Sequence, residues 1–205
     1  MINEQSLDAK YWDERYDQHN DPWDLGKIST PLKEYIDQLT DKNIAILIPG
    51  CGNAYEAAYL LEKEFTNITL IDISALLVKA IEEKLYVYNG KQLHIICGDF
   101  FEHLGEYELI IEQTFFCALD PALREKYAAT MYRLLKPGGK LVGLLFNREF
   151  KDGPPFGGNK MEYELLFRPK FTIEIMHDCY NSIAPRKGTE LFFKVVKKIQ
   201  HLDAV

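Results

Sequence analysis

The chain reads IAILIPGCGNAYEAAYLLEKEFTNITLIDIS from Ile44 to Ser74. An apolar run ends in a Gly-x-Gly turn at Gly50 and Gly52, a helix-like stretch follows, and a second apolar run ends at Asp72. This order predicts a parallel strand–helix–strand unit, with a backbone-lined crevice beside a carboxylate. Glycine suits the turn because it lacks a Cβ, which lets a ligand approach the backbone closely. The segment favours a cofactor that carries a ribose, whose two hydroxyls would donate to Asp72.

The turn differs from a dinucleotide motif at one position. A Gly-x-Gly-x-x-Gly turn uses its third glycine for close helix packing beside a pyrophosphate, and Tyr55 stands at that position here. A tyrosine fits a nucleoside without phosphates better, and S-adenosylmethionine is such a nucleoside. An ordinary strand–helix–strand turn with a solvated Asp72 remains open at this point, because an isolated glycine motif is a weak signal.

Composition limits the class of protein. The chain has 205 residues, 47% of them hydrophobic, and a net charge of −7, which predicts one domain that is a poor general binder of nucleic acid. Four cysteines and five histidines are scattered without metal-ligand spacing, so we expect no metal site. No signal-peptide pattern or long apolar run occurs, so we expect a cytoplasmic protein without a membrane span. We expect a monomer whose partner is a small molecule.

Strand-like and helix-like runs alternate along the chain, which predicts an α/β protein with a mostly parallel sheet. The gap between the last two strands is too short for a crossover helix, so these strands should form a closing antiparallel hairpin. That layout is the Rossmann-like class I methyltransferase sheet, here covering residues 1–205 as one domain with residues 1–40 as a helical lid over its carboxyl edge. The expected strands are Ile44–Pro49, Ile68–Ile73, Leu93–Cys97, Leu109–Gln113, Lys140–Phe146, Phe171–Cys179 and Glu190–Lys197. The expected helices are Tyr55–Lys63, Ala75–Tyr88, Ala122–Leu135 and Lys160–Phe167.

Several separate blocks resemble one family of enzymes. The blocks are WDERY at 12–16, PWDLG at 22–26, TP at 30–31, IPGCG at 48–52, IDIS at 71–74, GDFF at 98–101, FFCAL at 115–119, MYRLLKPGG at 131–139, GPPF at 153–156 and IAPRKG at 183–188. Together they resemble the thiopurine S-methyltransferase family, and they are most similar to its halide and thiol methyltransferase branch. The resemblance runs from about Tyr11 to Leu191 and implies S-adenosylmethionine as the cofactor.

The resemblance implies roles for individual cofactor-binding residues. Three aromatic positions that fold over the cofactor correspond to Trp12, Tyr16 and Trp23, with Tyr16 in place of a tryptophan. An aromatic lid suits a sulfonium cation, because aromatic faces attract cations. Spacing alone leaves another interpretation open, since Trp12 and Tyr16 lie four residues apart and could be core residues of one helix face.

Further cofactor contacts follow from the same resemblance. Gly50 and Gly52 correspond to the glycine turn and Asp72 to the ribose contact. Asp99 and Phe100 correspond to the pair that brackets adenine, although Asp99 could also be a solvated turn residue.

The end of the fourth strand carries the predicted chemistry. Gln113 occupies a position where halide-type members often carry tyrosine, and it should border both the cofactor and the methyl acceptor. Glu112 could accept a proton, hold the lid or cap a helix. Arg186 could attract an anion at the mouth of the site or lie at an exposed hairpin tip. The expected substrate pocket comprises Trp23, Phe115, Phe116, Pro155, Phe156 and Arg186.

These observations lead to a functional prediction with alternatives. We expect methyl transfer from S-adenosylmethionine to a small soft nucleophile, either a thiol, hydrosulfide or halide ion, by direct displacement. Such a nucleophile arrives charged and needs orientation and desolvation rather than a strong base. The alternatives are S-methylation of a bulkier aromatic thiol of the thiopurine type, a nicotinamide-dependent oxidoreductase and a non-catalytic cofactor-binding protein.

Overall fold

The computed structural model describes residues 6–199. Within this part of the chain, seven strands form one mixed sheet in the order β3-β2-β1-β4-β5-β7-β6. The strands are β1 Ile46–Pro49, β2 Ile68–Asp72, β3 Leu93–Cys97, β4 Tyr107–Gln113, β5 Leu135–Phe146, β6 Phe171–Asp178 and β7 Glu190–Lys197. Strands β1 to β5 pair in parallel, whereas β7 pairs antiparallel with both β5 and β6. The predicted α/β sheet with a closing antiparallel hairpin is confirmed.

Helices cover both faces of this sheet. They are α1 Ala9–Asp17, α2 Thr30–Asp37, α3 Tyr55–Glu62, α4 Ala75–Lys84, α5 Arg124–Leu134 and α6 Lys160–Phe167. Strand side chains alternate between two cores, because successive residues of a strand point to opposite faces. In β1, Leu47 joins the core under α5 and α6, whereas Ile46 and Ile48 join the core under α2, α3 and α4. No helix among residues 6–199 is both long and apolar enough to cross a membrane.

The two helices of the predicted lid segment behave differently. Helix α1 has no buried residue, and its amino end is capped by the Asp8 carboxylate, which accepts from the Tyr11 amide. Helix α2 buries Leu32 and Ile36 completely in the same core as Leu60 of α3. We expected both helices over the carboxyl edge, but α2 instead covers a sheet face, because its apolar residues lie one turn apart. Residues 1–5 of the predicted lid lie outside the described part.

Several element boundaries differ from the sequence prediction. Helix α4 ends at Lys84 rather than Tyr88, and the following Tyr86 is 73% exposed. Strand β4 begins at Tyr107 and β5 begins at Leu135, because these two residues pair across the sheet. The pairing of the two strands then shifts register at residues 136–139. Helix α5 ends at Leu134, close to the expected Leu135, and the glycine-rich segment that follows is an irregularity inside β5. Gly138 has a φ of +75°, a conformation that glycine adopts without strain.

Candidate active site

A cavity of about 1030 Å³ lies over the carboxyl edge of the sheet. Residues that end or follow the central parallel strands form its floor: Gly50 after β1, Asp72 at the end of β2, Asp99 after β3 and Gln113 at the end of β4. Residues from α1 and the segment before α2 lie on the opposite wall. This position is where open α/β sheets bind ligands, outside the carboxyl ends of the strands.

The glycine turn brings the backbone close to the cavity. Gly50 has a φ of +55°, and a Cβ there would lie 2.2 Å from Cδ2 of Phe115. Gly52 has a φ of +49°, and the nearest atom to a Cβ there would be the Tyr16 hydroxyl oxygen at 3.8 Å. Gly50 therefore permits the packing of Phe115, whereas Gly52 leaves the floor of the cavity open to a ligand.

Asp72 is a buried carboxylate that borders this floor. It is 8% exposed, its Oδ1 accepts from the Ser74 amide at 3.0 Å, and its Oδ2 accepts from the Gly52 amide at 3.4 Å. Burial raises the pKa of Asp72 to about 6, partly offset by these backbone hydrogen bonds. An ionised carboxylate has about four acceptor positions, so further donors from a ligand can bind it. Its environment fits the predicted partner, a pair of ribose hydroxyls.

Asp99 and Phe100 lie together after β3 and line the same cavity. Asp99 is exposed, and its carboxylate accepts from the Phe101 amide at 2.8 Å, which caps a short 3₁₀ turn. Phe100 is 4% exposed, and its ring meets that of Phe115 edge to face at 5.1 Å between centroids. Asp99 and Phe100 thus border the same space, and the Asp99 carboxylate has acceptor positions that its bond to Phe101 does not use.

The three predicted aromatic residues form one cluster above the floor. Trp12 and Trp23 meet edge to face at 5.7 Å, and Tyr16 and Trp23 meet similarly at 6.1 Å. Burial raises the pKa of the Tyr16 hydroxyl well above its usual range, so this residue stays neutral. All three line the cavity. All three are half-buried, and Tyr16 also packs against the core under α2, α3 and α4.

Polar contacts join this aromatic cluster to the sheet. The Asp13 carboxylate accepts from the Ser74 hydroxyl and from the Leu76 amide at the amino end of α4. The Asp24 carboxylate accepts from the Asn53 side-chain amide and from the Tyr55 hydroxyl. Helix α1 is therefore attached to the loop after β2, and the segment before α2 is attached to the glycine turn and the start of α3.

Arg186 has a different environment from the one predicted. It is 9% exposed, its Nη1 lies 3.3 Å from the Glu190 carboxylate, and its Nη2 donates to the Trp23 carbonyl at 2.9 Å. The residue lines the cavity, but Glu190 balances its charge. The alternative prediction, that Arg186 lies at an exposed hairpin tip, is wrong, because a 3₁₀ turn at Ala184–Arg186 folds the segment back onto the site.

Gln113 and Glu112 are neighbours in sequence but lie in separate environments. Gln113 lines the cavity, and its side-chain oxygen accepts from the buried Ser29 hydroxyl. Glu112 is fully buried, and its Oε1 accepts from the Phe116 amide at 2.7 Å. Burial raises the pKa of Glu112 to about 8. Three roles were predicted for Glu112, and this hydrogen bond supports the capping role, because the carboxylate caps the turn that follows β4.

The aromatic residues predicted for the substrate pocket separate into two groups. Trp23, Phe115 and Pro155 line the cavity. Phe116 does not line it, because this ring is 1% exposed and packs in the core against Tyr127 at 4.9 Å between centroids. Phe156 also lies outside the lining, because its ring turns toward Gly153. The prediction of Phe116 and Phe156 in the pocket is corrected accordingly.

Other lining residues were missed by the sequence prediction. Phe146 ends β5 and Phe150 follows four residues later, so their place at a strand carboxyl end was the available signal. Arg148, on the same segment, is exposed, and its guanidinium lies 4.7 Å from the Phe150 ring centroid. Arg15 and Glu56 also line the cavity. Their only sequence signal was adjacency to the aromatic block and to the glycine turn.

Comparison with known proteins decides the family. The family model of thiopurine S-methyltransferase matches residues 7–203. The chain belongs to the thiopurine S-methyltransferase family. A probable thiol methyltransferase 2 from Arabidopsis thaliana is 33% identical over 184 residues, which cover 87% of this chain and 81% of that protein. Thiocyanate methyltransferase 1 from Brassica oleracea is 29% identical, with 87% and 81% covered.

Solved structures agree with the fold of this thiopurine S-methyltransferase family member. A 1,6-didemethyltoxoflavin N1-methyltransferase from Burkholderia thailandensis superposes with a TM-score of 0.73 at 18% identity, covering 93% of this chain and 87% of that one. The protein is an enzyme, a methyltransferase that depends on S-adenosylmethionine. Family membership sets aside the alternatives of a nicotinamide-dependent oxidoreductase and of a non-catalytic protein.

Proposed function

We propose that this methyltransferase transfers a methyl group to a small soft anion, either a thiolate, hydrosulfide, thiocyanate or halide. Asp24 and Asp120 also line the cavity, but one observation carries the proposal: many aromatic and apolar side chains and two arginines line it together with Gln113. These residues are Trp23, Leu25, Gln113, Phe115, Leu119, Phe146, Arg148, Phe150, Pro154, Pro155 and Arg186. The thiol and thiocyanate methyltransferases among the relatives support the same acceptor class.

The cofactor residues of the proposal are those at the floor and in the aromatic cluster. Asp72 would accept hydrogen bonds from the ribose hydroxyls, and Asp99 and Phe100 would hold adenine. Gly52 would leave room for the cofactor to approach the backbone. Trp12, Tyr16 and Trp23 would cover the cofactor. When bound, S-adenosylmethionine supplies an electrophilic methyl group attached to a sulfonium.

The chain's own side chains then need only orient and desolvate the acceptor. Phe115, Phe146 and Phe150 would exclude water, which strengthens the attraction of an anion for a cation in the same space. Arg148 is exposed at this side and makes no ion pair within residues 6–199, so it could draw anions toward the mouth. A buried general base is not required, because the nucleophile arrives ionised.

Gln113 is the residue that we expect to set acceptor size. Its hydrogen bond to Ser29 fixes the side-chain oxygen, and its amide nitrogen makes no hydrogen bond to a protein group among residues 6–199. That nitrogen is free to donate to an anion. A tyrosine here would fill part of the pocket and present a hydroxyl in place of the amide.

A bulkier aromatic thiol is the second candidate, favoured by the cavity volume. About 1030 Å³ is at the upper end of the usual range for small-molecule sites. A cofactor and an aromatic ring could therefore occupy it together. The family name itself includes a thiopurine acceptor.

The test is methyl transfer from labelled S-adenosylmethionine to iodide, thiocyanate, hydrosulfide, thiophenol and a thiopurine. We expect the highest kcat/KM with the small anions, and we expect Gln113→Tyr to lower the thiophenol rate more than the hydrosulfide rate. Glu83→Ala, an exposed substitution on α4, is the matched control. Turnover of the aromatic thiols alone would replace the proposal with the second candidate, and no turnover with any acceptor would contradict both.

A further inference from the structure

Ser29 is a buried serine whose hydroxyl does not serve the helix that it begins. The residue is 2% exposed and occupies the N-cap position of α2, and its carbonyl accepts from the Lys33 amide at 2.9 Å. A serine at this position ordinarily also accepts a hydrogen bond from an amide of the first turn, but the Ser29 side chain makes no such bond. One of the amides that it could have bound is absent, because Pro31 stands at the second position of the helix.

The partner of this hydroxyl is Gln113, at the end of β4. The Ser29 Oγ donates to the Gln113 Oε1 across 84 positions of the chain. Gln113 is half-buried and lines the cavity. Among residues 6–199, Ser29 is the only hydrogen-bond partner of the Gln113 side chain. A glutamine side chain has several rotatable bonds and loses much conformational freedom when it is held, so the direction of this amide depends on one hydroxyl.

The backbone around Gln113 is held independently of Ser29. Gln113 pairs with Leu144 of β5 in the parallel part of the sheet. The next residue, Thr114, has a φ of +63°, which is rare for a β-branched residue, and its carbonyl accepts from the Cys117 thiol at 3.2 Å. The sheet and this turn therefore fix where the Gln113 side chain starts, whereas Ser29 determines which way its amide group points.

We propose that Ser29 is a positioning residue for methyl transfer: by binding the Gln113 oxygen, it keeps the Gln113 amide nitrogen available to the methyl acceptor. The inference rests on the proposed function, in which Gln113 borders the acceptor. An amide that turned the other way would present its oxygen, which is an acceptor of hydrogen bonds and repels an anion. Because Ser29 acts only through Gln113, its loss should weaken acceptor binding and leave cofactor binding unchanged.

The first experiment observes the Gln113 amide directly, without turnover. Nuclear magnetic resonance spectra are recorded of the protein labelled with ¹⁵N at glutamine, in complex with S-adenosylhomocysteine, and Gln113→Ala assigns the signal pair. We expect this pair to lie apart from those of mobile glutamines and to shift when sodium thiocyanate is added. In Ser29→Ala the pair should move toward the mobile positions, and an unchanged pair would overturn the inference. A pair that depends on Ser29 but ignores thiocyanate would contradict only the proposed anion acceptor.

A double-mutant cycle then measures the effect on catalysis, with whichever acceptor the enzyme methylates. Ser29→Ala should raise the acceptor KM roughly tenfold, while kcat changes less than about threefold and the Kd of S-adenosylhomocysteine less than about twofold. Added to Gln113→Ala, the same substitution should have no further effect, because its route to the acceptor is already gone. Effects of the two substitutions that simply multiply would show that Ser29 acts independently of Gln113.

Matched variants separate positioning from a general loss of structure. Thr172→Ala removes an exposed hydroxyl from β6 and should change neither the Gln113 signals nor the acceptor KM. Ser29→Cys keeps a side chain of similar shape with a weaker donor, so its KM should lie between those of the wild type and Ser29→Ala. If Ser29→Ala fails to fold, Ser29→Cys carries both experiments, and wild-type signals and KM in that variant would count against the inference.

Discussion

Asp72 illustrates how one buried acid can be kept for a ligand. Its two backbone donors leave acceptor positions toward the cavity, and we expect Asp72→Ala to weaken S-adenosylhomocysteine binding by about 1–3 kcal/mol, because charged hydrogen bonds to the ribose are lost. Calorimetric titration measures the change, and Glu83→Ala serves as the control. Unchanged affinity would mean that the carboxylate is structural and that the ribose lies elsewhere.

Glu112 shows the opposite case, a buried acid that no ligand reaches. Its folded pKa of about 8 lies above the ordinary value of 4.5, so the folded state holds the proton more tightly than the unfolded state. The resulting stability is fully present below about pH 4.5 and is lost as pH rises through about 8. We expect Glu112→Gln to flatten the pH dependence of the free energy of unfolding between about pH 4.5 and 8, measured by urea denaturation. An unchanged slope would assign the pH dependence to other groups.

At the scale of elements, the last hairpin supports the aromatic cluster. Arg186 is buried with Glu190 and holds the Trp23 carbonyl. Arg186→Ala should lower the free energy of unfolding by about 3–5 kcal/mol, because Glu190 is left as an uncompensated buried charge. Urea unfolding measures this, and removal of the exposed Lys10–Glu14 pair by Lys10→Ala should have no measurable effect. A small loss for Arg186→Ala would show that water reaches Glu190.

The elements were largely predictable, and the failures have physical causes. Short apolar runs alternating with helical periodicity predicted the sheet, because a central strand such as β1 lies between two cores and is apolar at every position. Periodicity could not separate Phe115 from Phe116, since both belong to one apolar run and only the turn after β4 decides which ring faces the cavity. Arg186 was misjudged because its partner Glu190 and the Trp23 carbonyl meet it only in the folded chain.

Across the whole molecule, the cavity joins segments that are far apart in sequence. A ligand that contacts only the folded state should stabilise it by about 2.7 kcal/mol at a concentration one hundred times its Kd. We expect S-adenosylhomocysteine to slow amide exchange more over residues 9–26, 50–56 and 98–101 than in β6 and β7, which gain only the global stabilisation. Hydrogen–deuterium exchange with mass spectrometry checks this pattern. Uniform slowing throughout the sheet would instead indicate global stabilisation without closure of the aromatic cluster.

The contact between Arg186 and the Trp23 carbonyl spans 163 positions of the chain. A ribosome makes the two residues in that order, and at typical synthesis rates of about 5–20 residues per second the interval is of the order of ten seconds. In the nascent chain, the Trp23 carbonyl therefore lacks its Arg186 donor until strands β1 to β6 have been synthesised. The ligand cavity is complete only after the segment between β6 and β7 has been synthesised, and a chain interrupted before that segment would lack the anchor for its aromatic cluster.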